Sequence, residues 1–171
     1  MVIQLSNNTR PIFKTKISKA EVTCLYDTGA DISVWTGSPK MFKCLFPNAE
    51  LKNDKYKITG FGGVGELYHL YIVPELCMQT ESGNYIIKNF IIAVSNGVIS
   101  KFDLVLCAGV FDKSRVIIDK TLGKSEMIIE CNRDVYTMIS TNDGKSTTVF
   151  SQDEEYIENP LIRAAMRADI K

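Results

Sequence analysis

Short runs of alternating apolar and polar residues, separated by turn-forming residues, dominate this chain of 171 residues. Pro11 to Ile17 and Glu21 to Asp27 are rich in β-branched and apolar side chains, and the link Ser18-Lys19-Ala20 joins them as a hairpin. Ile32 to Trp35 is a short apolar segment after a glycine turn. Ser38 to Phe46 begins Ser-Pro, which predicts a short helix with Ser38 as its cap and Pro39 at its first position. Tyr56 to Thr59 alternates, and so does Leu67 to Val73, with Leu67, His69 and Tyr71 on one face. Between those two runs lie Gly60, Gly62, Gly63 and Gly65, so the pattern predicts a long hairpin with a glycine-rich tip. Tyr85 to Val94, Leu104 to Leu106, Val116 to Ile118 and Glu126 to Glu130 read as further short strands. Gly83-Asn84, Asn96-Gly97 and Leu122-Gly123 supply turn signals between them. So many short strands predict a mainly antiparallel β sandwich or barrel.

The last forty or so residues have a different character. Val135 to Ser140 and Ser146 to Phe150 form one more hairpin pattern around Asn142-Asp143-Gly144. An acidic stretch, Asp153 to Glu155, precedes a helix signal with Asn159 as cap and Pro160 following. Leu161, Ile162, Ala165 and Met166 make an apolar stripe on that helix. The stripe packs on its own domain or meets a second subunit, and the pattern admits both. The division predicted is a main domain over 1–132 and a C-terminal extension over 133–171.

Charge narrows the partners. Lys plus Arg is 20 and Asp plus Glu is 20, a net charge of zero, so neither nucleic acid nor an anionic membrane is an expected partner. With 45% hydrophobic residues the chain can build a core. His69 is the single histidine, which argues against histidine-based zinc sites and leaves one imidazole for any Ser or Cys nucleophile. It lies in an alternating strand and reads as structural. The cysteines, Cys24, Cys44, Cys77, Cys107 and Cys131, are odd in number and contain no C-x-x-C pair. They read as mostly buried thiols in a reducing compartment. No secretory signal is visible from Met1 to Lys14, and no apolar run approaches the roughly 18 residues of a membrane span. A cytoplasmic protein is the expectation, although a domain excised from a longer precursor would read the same way.

One segment carries chemistry: an apolar strand ending in Asp27-Thr28-Gly29-Ala30-Asp31. Alone, the triplet is also the sequence of a turn closing a strand. Followed by the glycine-rich hairpin Ile58 to Gly65, and then by Phe102 to Phe111 with its apolar run and glycine, it resembles the retroviral-type (retropepsin-like) aspartic peptidases. The three elements come in that family's order, across about residues 10 to 130. Cys107 stands where the family's pattern has glycine, with Gly109 two positions later. The resemblance implies a closed β-barrel with short helices and a flap hairpin, and it implies hydrolysis of peptide bonds without metal or cofactor. It assigns catalysis to Asp27, Thr28 and Gly29. It assigns contact with an extended polypeptide substrate to Ala30, Asp31, Gly60, Phe61, Gly62, Gly63 and Val64. A phosphate-cradling loop is a poorer reading of the glycines, because no Lys-Ser/Thr follows and a strand, not a helix, comes next.

The chemistry such a site needs is a pair of carboxyl groups. Held close together they cannot both ionise, so one activates water while the other carries a proton. No second Asp-Thr-Gly or Asp-Ser-Gly exists in the chain. The partner aspartate therefore comes from another copy, and a two-fold homodimer places two Asp27 side chains at its axis. The expectation is a homodimeric aspartic endopeptidase. The alternative from another class is a dimerisation or peptide-binding module of the same fold without turnover. A third reading is the processing protease of a larger precursor.

Overall fold

In the computed structural model, the described residues are 2–6, 10–59, 65–80, 83–95, 101–111, 114–121, 123, 125–131, 137–140 and 146–151. The chain opens with β1 (Val2–Gln4), β2 (Ile12–Ile17), β3 (Ala20–Asp27) and β4 (Ser33–Trp35). A helix, α1 (Pro39–Leu45), and the long hairpin β5 (Glu50–Thr59) and β6 (Gly65–Thr80) come next. Then follow β7 (Gly83–Ser95), β8 (Leu104–Cys107), a 3₁₀ turn at Ala108–Phe111, β9 (Ser114–Asp119) and β10 (Glu126–Cys131). The last described elements are β11 (Thr137–Ser140) and β12 (Ser146–Ser151). The protein is mainly β, as the alternation predicts.

Six strands close on themselves in the order β7-β4-β8-β3-β2-β6, with β6 returning to β7, which makes a barrel. β5 extends the sheet from β6, and the hairpin β11–β12 extends it from β7. A separate three-stranded sheet runs β1-β10-β9. Most pairings are antiparallel. Parallel ones join β3 to β8, β4 to β7 and β12 to β7.

Local chemistry explains the departures from the sequence pattern. The β2–β3 turn holds two residues, not three: Ser18 and Lys19 take φ of 48° and 69°, and Ala20 already pairs with Ile17. A turn with both central residues left-handed matches the right-handed twist of the strands it joins. β5 begins six residues before the alternation does. Its pairing with β6 slips between Leu51 and Asn53 and again between Asn53 and Tyr56. Asn53 is buried, and its side-chain oxygen accepts the Lys55 N–H at 2.9 Å, which fixes the irregularity and scrambles the period-two pattern. β6 continues through Pro74, which a sequence reading takes as a strand end. The β6–β7 ladder runs from Val73–Phe90 to Glu75–Lys88 and skips Pro74, and Asn89 opposite takes φ of 53°. One missing rung accommodates the ring, and the strand resumes.

The helix forms as predicted. Ser38 Oγ accepts the Met41 N–H at 3.4 Å and Pro39 occupies the first turn. Phe42 and Phe46 from this segment pack on Trp35, each at a ring separation of 6.0 Å, and Phe42 meets Tyr71 at 5.0 Å. Trp35 is fully buried and its indole N–H donates to the Ser38 carbonyl at 3.0 Å, so burying the ring leaves no polar atom unsatisfied. The main core fills the barrel with residues such as Phe13, Val22, Leu76, Ile87 and Leu106. A second, smaller cluster of Ile32, Leu70, Ile91 and Ala93 lies under the β5–β6 hairpin. Among the described cysteines, Cys24 and Cys107 are buried and Cys77 is half-buried, but Cys44 on α1 is exposed. The C-terminal hairpin pattern is present as β11–β12, whereas the helix signal at 159–166 lies outside the described residues.

Candidate active site

Asp27 is the last residue of β3, and its strand emerges from the barrel core: Cys24, Leu25 and Tyr26 are buried, while Asp27, Thr28 and Gly29 are exposed. The burial switches within one residue, so the barrel holds the strand rigidly and presents the carboxyl group at its rim. The turn is self-organised. The Gly29 N–H donates to Asp27 Oδ1 at 2.9 Å, and the Ala30 N–H donates to the Asp27 carbonyl at 3.2 Å. A carboxylate that accepts a backbone N–H is held in one orientation. Gly29 does not adopt a left-handed φ, and a Cβ there would lie 3.4 Å from Asp27 Oδ1, an ordinary contact. Its lack of a side chain matters as open space beside the carboxyl group, more than as backbone freedom.

The loop then divides its side chains. Ala30 is half-buried against the main core, Asp31 is exposed, and Ile32 is buried in the small cluster. Tyr56, Ile58 and Tyr68 from the β5–β6 hairpin pack partly buried against that cluster. Burial pushes the Tyr56 hydroxyl above its ordinary value of 10.0, and the nearby charge of Asp31 adds to the effect. The loop after Asp27 and the base of the hairpin are thus neighbours. Gly60, Phe61, Gly62, Gly63 and Val64, at the hairpin tip, lie outside the described residues. His69 is half-buried on β6 in register with Val94.

Three strands build this rim. β8 lies between β3 and β4, parallel to the first and antiparallel to the second. Residues 28–32 therefore connect two strands that are not neighbours, arching over the end of the strand between them. At the other end of β8, Asp103 ties all three together. Its backbone exchanges bonds with Thr23, Thr36 and Gly37, and its carboxylate accepts the Thr23 N–H at 3.0 Å. The Thr36 hydroxyl also donates to the Phe102 carbonyl. Near the rim, Ser33 bonds to Cys107. Sequence reasoning passed over Ser33 and Asp103. Ser33 left a faint signal, one hydroxyl inside the otherwise apolar Ile32-Ser33-Val34-Trp35. Asp103 left none, because its partners are remote in sequence.

Comparison with known proteins gives a likeness in structure. No family model and no curated protein matches the chain. A retropepsin-like aspartic protease from Rickettsia conorii is similar in structure at 14% sequence identity and a TM-score of 0.48, over 75% of this chain and 88% of that one. The assignment of a function therefore rests on this chain's own residues. A hollow of about 300 Å³ lies between the end of α1 and Val73–Glu75 of β6, and none of residues 27–31 lines it. The Asp27 turn lies instead at the exposed end of β3.

Proposed function

We propose that this chain is one half of an aspartic endopeptidase, completed by a second copy and acting on extended polypeptide segments. The observation that carries the reading is the Asp27-Thr28-Gly29 turn: a carboxyl group at the exposed end of a buried strand, oriented by the Gly29 N–H, with no second such triplet in the chain. In the proposed dimer the two Asp27 carboxyl groups share one proton. The ionised one takes a proton from water as that water attacks the peptide carbonyl, and the protonated one then supplies the leaving amine. Thr28 ties its loop to the partner's loop through its hydroxyl. Gly29 and Ala30 leave the floor of the cleft low enough for a peptide backbone. Asp31 faces the substrate main chain, and residues 60–64 close over it and exclude water. An extended peptide between floor and hairpin is held by strand-like backbone hydrogen bonds.

Digestion of a peptide library at mildly acidic and neutral pH, comparing wild type with Asp27→Asn, tests this. The expected result is cleavage by wild type and a loss of at least about 10²-fold in Asp27→Asn, because general acid–base catalysis typically supplies about 10²- to 10⁴-fold. Equal cleavage by both proteins would overturn the aspartic mechanism. No cleavage by a protein that sediments as a dimer would replace it with a peptide-binding module, and a protein that is monomeric under all conditions would remove the proposed site.

A further inference from the structure

Ser33 and Cys107 are both fully buried, and between them they make two hydrogen bonds. The Cys107 N–H donates to Ser33 Oγ at 3.1 Å, and the Ser33 hydroxyl donates to Cys107 Sγ at 3.4 Å. Their place in the fold gives these bonds a mechanical role. Cys107 is the last residue of β8 and is the register partner of Asp27 on β3. The β4–β8 ladder ends two residues earlier on β8, with Val34 opposite Val105. Where that ladder runs out, the Ser33 side chain takes over as the acceptor for the backbone N–H of Cys107. The same hydroxyl uses its proton on the thiol. Both atoms of the hydroxyl are spent on one residue, so its rotamer is fixed, and a fully satisfied buried bond pair of this kind is stiff. Ser33 is also the residue at which the 28–32 arch returns to the sheet. The arch is thus pinned at one foot by the β3 ladder at Asp27, and at the other by the β4–β7 ladder at Ser33 together with a side chain bonded to Asp27's own cross-strand partner.

We propose that the Ser33 hydroxyl and Cys107 form a buried brace that sets the position of the Asp27 loop, making both of them positioning residues for the chemistry. This rests on the reading of Asp27 as the catalytic carboxyl group. Cys107 contributes what a residue without a side-chain acceptor would not: it takes up the serine proton, so the hydroxyl does not turn away from the backbone N–H. Misplacing a catalytic group by about 1 Å costs on the order of 100-fold in rate, so a small relaxation of the arch is enough to be seen.

Two measurements test it. Steady-state cleavage is read for wild type, Ser33→Ala, Ser33→Thr, Cys107→Ala and Cys107→Ser, with Asp27→Asn as the baseline. Amide hydrogen exchange is read at residues 28–30 against the β6–β7 ladder. The expected result for Ser33→Ala is a kcat about 10- to 100-fold lower with KM changed less than about 3-fold. Its exchange is faster at 28–30 and unchanged in β6–β7. Ser33→Thr and Cys107→Ser, which keep the donor or the acceptor, recover most of the rate. Cys107→Ala, which loses the thiol but keeps the backbone bond, falls between. If Ser33→Ala does not fold, the Cys107→Ala and Cys107→Ser pair carries the same comparison. Unchanged kcat together with unchanged exchange at 28–30 would overturn the brace. So would exchange that rises equally everywhere, which marks only a loss of global stability. Absence of Asp27-dependent cleavage in wild type overturns the proposed function instead, and the exchange measurement then decides the brace by itself.

Discussion

Cys24 lies three residues before Asp27 on β3 and has no exposure to solvent. Burial pushes its thiol well above the ordinary 9.0, and the charge of Asp103 pushes it the same way. The consequence for stability has a definite sign. In the unfolded chain the thiol ionises as pH passes about 9, while in the fold it stays protonated, so folding must take up a proton. The contribution of Cys24 is therefore fully present below pH 9 and is lost as pH rises through the higher native value. Tyr26 and Tyr56, both raised mainly by burial from 10.0, and Cys77, raised from 9.0, act in the same direction and the tyrosines begin later. Urea unfolding between pH 8 and 11 is expected to show stability falling by up to about 1.4 kcal/mol per pH unit through Cys24, with smaller contributions from the less buried groups. Cys24→Ala is expected to be less stable at neutral pH and to have a shallower fall above 9. A slope unchanged by the substitution would mean that the alkaline loss comes from other groups. At this scale Asp27 and its turn were legible in the sequence because their signal is contiguous. The Ser33–Cys107 pair was not, since it joins residues 74 positions apart.

At the scale of elements, the unit that matters is the trio β3, β4 and β8. Its rim carries Asp27 and its opposite end is gathered by Asp103. Asp103→Ala removes the carboxylate that accepts the Thr23 N–H and leaves the backbone bonds in place. A charge-assisted bond at a partly buried site is worth roughly 1.5 to 3 kcal/mol, and a loss of about that size is expected in the urea midpoint. Gly37 beside it has no room to grow: a Cβ would come within 3.0 to 3.1 Å of the Trp35 ring and Asp103 Oδ1. Gly37→Ala is thus expected to cost about 1 to 3 kcal/mol through overpacking of the same clamp, read in the same unfolding measurement. The existence of each strand in this trio was legible from short apolar runs. Their arrangement was not, because alternation reports which residues face a core and says nothing of which strand lies beside which. The long hairpin shows the complementary limit. Asn53 and Pro74 interrupt the period that marks a strand, yet the pairing of β5, β6 and β7 absorbs both as local irregularities.

For the molecule as a whole, closure of the barrel leaves the Asp27 turn at a rim with one carboxyl group of its kind per chain. If two copies each supply one aspartate, the chemistry belongs to the pair and a single altered copy spoils it. Mixing makes this measurable. When wild type and Asp27→Asn are combined in equal amounts and allowed to exchange subunits, random pairing leaves about a quarter of the dimers with two wild-type chains. Activity per total protein should fall to about a quarter of the wild-type value, with a further decline as the variant is added in excess. Chains acting independently would keep about half. The expected quarter also depends on exchange: mixing at a concentration where sedimentation shows only tight dimer, without time to re-equilibrate, should return the half and then drift to the quarter as subunits trade places. An activity that stays at half after full exchange would show that each chain completes its own site, and the second carboxyl group would then have to be sought within the chain itself, starting with Asp31, which the same loop carries beside Tyr56.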